Sequence, residues 1–122
     1  MKKEDLLSLL QDIVEQDGWL IYLKIHYIEE RNININDIQK IIIYGLENNI
    51  LKVFEYLNSE EEIQYKDLDI KEAILAIKNK KVWGAWPVIY EVTFRNIPKY
   101  IAILFNINGP KIPDEFLQFI KE

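Results

Sequence analysis

Apolar side chains recur along the chain in two rhythms, one suited to helices and one to strands. Over residues 4–16, Leu6, Leu9, Leu10 and Ile13 fall at i, i+3, i+4 and i+7, and Leu7 and Val14 widen the stripe, which predicts a helix. Glu4 and Asp5 stand where negative charge favours a helix N-terminus, and Gly18 marks the stop. Residues 19–31 fit both rhythms. Leu20, Leu23 and Tyr27 form a helical row, whereas Ile21, Leu23, Ile25 and Tyr27 alternate as in a strand; the length of the run favours a helix. Trp19, directly after Gly18, is expected to fold back onto Leu6, Leu10 and Ile41 as a core anchor. A turn over 32–36 leads to a third helix over 37–48. Asn36 and Gln39 form its capping pair, and Ile38, Ile41, Ile42 and Leu46 its buried stripe. Gly45 lies inside that helix at a cost of up to about 1 kcal/mol relative to alanine, so it is expected to mark close packing.

The pattern then changes period. Residues 50–57 read as a strand, with Leu51 and Val53 on one face and Phe54 and Tyr56 on the other. Ile63 and Tyr65 suggest a short second strand, reached through an acidic tip over 58–62. Asp69 and Glu72 are a further capping pair, opening a short helix that places Ile70, Ala73, Ile74 and Ile77 on one face. Trp83-Gly84-Ala85-Trp86-Pro87 breaks it. Val88, Tyr90, Val92 and Phe94 alternate with Glu91 and Thr93, the cleanest strand signal in the chain. Residues 97–105 are apolar all round and fit a helix or a strand, with Pro98 favouring a helix. Asn108-Gly109-Pro110 is a turn, and Pro113 opens a last short helix with Phe116, Leu117 and Ile120 inward. The expected architecture is α+β: one domain over residues 1–122, with helices packed on a small antiparallel sheet.

The order helix, helix, turn, helix, strand, acidic tip, short strand, small helix, strand resembles a winged-helix arrangement. Helix 37–48 takes the recognition-helix place, and the strands after it form the wing. The chain also resembles a small group of bacterial proteins. They share a Gly-Trp before a helix (Gly18-Trp19), a helix running into a strand (37–54), a capped helix ending near a Trp (Asp69 to Trp83) and a Val-Tyr-Glu-Val-Thr type strand (Val88 to Thr93). The Gly that this group carries shortly after the final Thr is absent. The resemblance implies a winged-helix-like, non-catalytic protein of toxin-immunity or similar type.

Composition narrows the classes. A chain of 122 residues, 49% hydrophobic and 12% aromatic, has material for one real core. Without cysteine it has no disulfide framework and no thiolate site. No apolar run approaches the roughly 18 residues of a membrane helix, and Met1-Lys2-Lys3 leads straight into a helical pattern, so a cytoplasmic location without membrane contact is expected. His26 is the single histidine, which leaves no metal-ligand set. The two serines, Ser8 and Ser59, lack a nucleophile-elbow context, and four glycines give no phosphate-binding or dinucleotide fingerprint. No cofactor and no enzymatic activity are expected.

Charge points towards a partner. The net charge of −5 is uneven: residues 54–72 hold seven acidic groups against two basic, and residues 73–111 six basic against one acidic. An acidic face suits a basic protein. The candidate partner-binding residues are Glu55, Glu60, Glu61, Glu62 and Asp67, together with Trp83 and Trp86, because aromatics are enriched at interface centres; the alternative for the two tryptophans is that both plug the core beneath the wing. The expected function is a protein-binding module of immunity or antitoxin type, which neutralises a basic toxin such as a nuclease by occluding its surface. The alternative is a winged-helix DNA-binding regulator. Helix 37–48 argues against it, with Lys40 beside Asp37 and Glu47 and no arginine. Gln39, Asn48 and Asn49 as base readers, and Lys78, Lys80, Lys81, Arg95, Lys99 and Lys111 as phosphate contacts, argue for it.

Overall fold

In the computed structural model, the residues described are 1–58, 63–84 and 88–121. The elements run α1 Lys3–Val14, α2 Leu20–Leu23, α3 Ile35–Glu47, β1 Leu51–Asn58, β2 Ile63–Asp67, α4 Ile70–Lys78, β3 Val88–Phe94 and α5 Ile97–Leu104. A π-helical segment, Lys24–Glu29, continues α2, and 3-10 turns occupy Lys80–Gly84 and Asp114–Phe119. The fold is therefore α+β, with a three-stranded antiparallel sheet in the order β2-β1-β3. Among the described residues no helix is long and apolar enough to cross a membrane.

The apolar stripes go where their period sends them. Leu6, Leu9, Leu10 and Ile13 of α1 join Ile38, Ile41, Ile42 and Leu46 of α3, Leu51 and Val53 of β1, and Val92 and Phe94 of β3 in one core. Helix α3 lies deep in it. Of its thirteen residues only Asn36, Lys40 and Glu47 are fully exposed. Gly45 permits that depth, because a Cβ there would lie 2.4 Å from Leu51 Cδ1.

Several expectations are corrected. The cap of α3 is Asn34, whose side chain accepts from Asn36 N at 2.9 Å, so the helix begins two residues before the expected start. Gln39 is buried and donates from Nε2 to Ile77 O at 2.9 Å, which ties α3 to the end of α4 and removes it from the surface. Leu117 is 46% exposed. The last segment is a 3-10 turn, in which i and i+3 align. Phe116 and Phe119 therefore share a face against Tyr44, at 5.9 and 5.4 Å, and Leu117 turns away. The apolar run 97–105 is helical, capped by Asn96 Oδ1 on Lys99 N at 3.2 Å with Pro98 in the first turn.

The two edges of the sheet differ. The outer edge of β3 is covered by Gly18 and Trp19: Val92 N donates to Gly18 O at 2.8 Å, and Trp19 bridges Glu91. A Cβ on Gly18 would stand 1.9 Å from Val92 O, so only glycine allows the approach. This cover lies beside Glu91 and Val92, while Phe94 packs on Tyr100 and Phe116, so consecutive residues of β3 are buried although their sequence alternates. The outer edge of β2 has no further strand beside it among the described residues.

Candidate functional site

Pairing across the sheet decides which side chains share a surface, since cross-strand partners point the same way. Phe54 pairs with Asp67 on one side and Glu91 on the other, and Tyr56 pairs with Tyr65 and Ile89. These residues make one face. Its rings form a continuous cluster: Phe54 to Tyr65 at 5.9 Å, Tyr56 to Tyr65 at 6.0 Å and Phe54 to Tyr56 at 6.3 Å. The bridge to Glu91 brings Trp19 onto the same face, where its ring lies 4.9 Å from Tyr56 in a tilted contact. Tyr65 is 69% exposed, and Trp19, Phe54 and Tyr56 are partly exposed. Lys52 Nζ already sits over the Phe54 ring at 4.7 Å.

Carboxylates lie among these rings. Asp67 is exposed at the β2 end of the row. Glu91 is only 8% exposed and accepts from Tyr56 OH at 3.2 Å. Burial raises the Glu91 pKa above the usual carboxylate range, the Tyr56 hydrogen bond opposes this, and the negative charge of Asp17 adds to it. Burial and the facing Glu91 carboxylate in turn raise the Tyr56 hydroxyl. No Lys, Arg or His among the described residues is within ion-pair distance of Glu91.

The other candidates separate. Glu55 faces the opposite side of β1, paired with Lys66 and Tyr90. There it lines a groove of about 300 Å³ with Leu75, Ala76, Val82 and Tyr90. Burial, then the nearby Glu55 carboxylate, push the Tyr90 hydroxyl up to about 12. Strand alternation thus sends Glu55 and Asp67 to different faces, so these two carboxylates do not share a surface. Asp69 caps α4, accepting from Glu72 N at 2.8 Å, and Glu72 is taken by Lys66 at 2.7 Å. Glu60, Glu61, Glu62, Trp86 and Ser59 lie outside the described residues.

Trp83 is corrected from a contact candidate to a core residue. It is fully buried, and its Nε1 donates to Ile77 O at 3.0 Å, the same carbonyl that Gln39 reaches. That carbonyl belongs to the last turn of α4, where helix geometry leaves acceptors unmet. Trp19 is corrected in the other direction. The Gly18 contact with β3 holds it at the sheet, so its ring meets Tyr56 instead of the core between α1 and α3.

Ser8 and His26 have separate partners. Ser8 shares a hydrogen bond with Tyr27 OH at 2.9 Å and accepts from Arg31, whereas His26 contacts Glu30 at 3.2 Å and the Tyr22 ring at 4.1 Å. Tyr27 OH also donates to Asp12, and burial with that bond raises its pKa. No group of three or more metal-ligating side chains converges among the described residues. A second cleft, of about 440 Å³, opens where β1 begins and β3 ends. Arg95, Lys99, Asn48 and Asn49 line it beside Glu115, which accepts Tyr100 OH at 2.7 Å.

The arrangement offers contact chemistry: flat rings with polar edges, an exposed carboxylate and a recessed one. Aromatic rings exposed together on a sheet usually contact another macromolecule. The cluster escaped detection in sequence because Phe54, Tyr56, Tyr65 and Trp19 are brought together by register and by a non-local bridge. Comparison with known proteins finds no matching family, no matching curated protein and no matching solved structure.

Proposed function

We propose that the chain is a non-catalytic protein-binding module of immunity or antitoxin type, which neutralises a basic toxin by occluding its active or substrate-binding surface. The observation that carries this reading is the aromatic face of Trp19, Phe54, Tyr56 and Tyr65 with Asp67 and Glu91 among its rings. A nuclease holds phosphates with cationic groups, and carboxylates presented on a ring-lined surface compete for them. Opposite charge speeds encounter, and the buried rings set the lifetime of the complex. In the winged-helix-like order of elements, α3 serves as scaffold: with Gln39 turned inward, its exposed side chains are Asn36, Lys40 and Glu47.

The test is capture of the partner from native lysate, followed by expression of the captured protein alone and together with this chain. Growth arrest alone and rescue on co-expression is the expected result, with rescue weakened by Trp19→Ala combined with Tyr65→Ala. A harmless partner, or rescue indifferent to both changes, overturns the reading.

A winged-helix DNA-binding regulator is the second reading, favoured by Arg95 and Lys99 at the 440 Å³ cleft. Gel shift against genomic fragments at about 100 mM salt tests it, since phosphate contacts dominate affinity and competitor removes the non-specific part. A discrete operator footprint is the outcome that establishes it.

A further inference from the structure

Glu91 is a buried carboxylate with no cation at ion-pair distance among the described residues. Its neighbours on the face are the Tyr56 hydroxyl at 3.2 Å, the partly exposed Trp19 ring and, on its own cross-strand row, Phe54 and Asp67. One Glu91 oxygen, Oε1, accepts from Tyr56 OH, and the residue as a whole is only 8% exposed. A carboxylate kept this dry is costly unless a positive group compensates it. Resting on the protein-binding reading, we propose that the notch formed by Trp19, Tyr56 and Glu91 receives one arginine side chain of the partner.

Three features select the guanidinium. It is planar and stacks on the Trp19 or Tyr56 ring, as a cation already does on this face where Lys52 covers Phe54. It presents parallel N–H donors to a carboxylate. It is also more weakly hydrated than an ammonium, so it loses less on entering a recess. Asp17 and Asp67 add negative potential around Glu91, and Lys52 lies over Phe54 on the same face.

The probe is a capped Gly-Arg-Gly peptide titrated into the whole protein, read at the Trp19 indole N–H by NMR, with Gly-Lys-Gly and triglycine as comparisons. The arginine peptide is expected to shift the Trp19 signal and to saturate at lower concentration than the lysine peptide, with triglycine silent. Glu91→Gln is expected to weaken arginine binding by about tenfold or more, the loss typical of a charge-assisted hydrogen bond. Trp19→Ala, followed at backbone amides of β3, is a second variant and is expected to abolish the response. Equal binding of arginine and lysine peptides, or an unchanged affinity in folded Glu91→Gln, overturns the inference. If a toxin is captured and neutralised while the notch ignores arginine, the inference falls and the protein-binding reading stands. Arginine binding without any captured partner gives the reverse.

Discussion

Trp83 and Trp19 show how differently this small fold uses one side chain. Trp83 is sealed between the end of α4 and the sheet, fully buried, with its single donor spent on Ile77 O. Trp19 is held at the rim of β3, partly exposed, with its ring over Tyr56. In the first region every polar atom of the ring is satisfied inside the protein. In the second, rings are grouped in the open around a carboxylate with no counter-ion among the described residues. The first arrangement serves the stability of the fold, and the second is the one on which the proposed contact rests.

The contrast can be broken most sharply at Trp83. Trp83→Ala is expected to lose roughly 3–5 kcal/mol, since it opens a cavity and removes one of the two donors to the Ile77 carbonyl. That is a large share of the roughly 5–15 kcal/mol that holds a domain of this size. Urea denaturation measures it, and an unchanged midpoint contradicts the buried placement. Gly18→Ala comes next. The new methyl meets Val92 O, so the Gly18–Trp19 cover must lift from β3, at a cost of about 1–3 kcal/mol typical of overpacking. Hydrogen exchange should show faster loss of the Val92 amide, which donates to Gly18 O.

Trp19→Ala sharpens the comparison. A partly exposed ring gives up only part of its transfer free energy, so roughly 1–2 kcal/mol is expected, well below the Trp83 loss. Partner binding, in contrast, should fall more with Trp19→Ala than with any core change of equal stability cost. Denaturation and binding measured on the same two variants separate the roles.

The part of this division that was legible in the sequence is the part set by local periodicity. The α1 and α3 stripes, the close packing at Gly45, the Asp69 cap and the β3 strand all follow from spacing or from a single side chain's local chemistry. Phe54 and Tyr56 were already on the face opposite Leu51 and Val53. What was hidden depends on residues distant in sequence. Tyr65 joins Tyr56 through the β1–β2 register, Trp19 through a bridge to β3, and Gln39 and Trp83 through one shared carbonyl. Charge counting had the same weakness. Glu55 and Asp67 are close in sequence, yet alternation assigns them to opposite faces. Asn36 with Gln39 matches the capping-box spacing, but Asn34 caps α3 and Gln39 is buried against Ile77 O.

The smallest expected effect on stability is at Glu91, and its sign is diagnostic. Burial raises the pKa of Glu91 in the folded protein above its unfolded value. The folded state therefore holds the proton more tightly, and folding stability declines as pH rises from the unfolded pKa through the folded one. Above the folded pKa the full penalty of burying the ionised carboxylate is present. Glu91→Gln removes the charge, and the amide oxygen can still accept from Tyr56 OH. The variant is expected to be slightly more stable than the parent at pH 7, with the advantage shrinking as pH falls towards the carboxylate range. Thermal melts across pH 3–8 measure this difference. An ordinary structural carboxylate, stabilised by its surroundings, gives the opposite slope. A gain in stability joined to a loss of arginine binding in the same variant would show that Glu91 is kept at the expense of the free fold, for the cation that it has yet to meet.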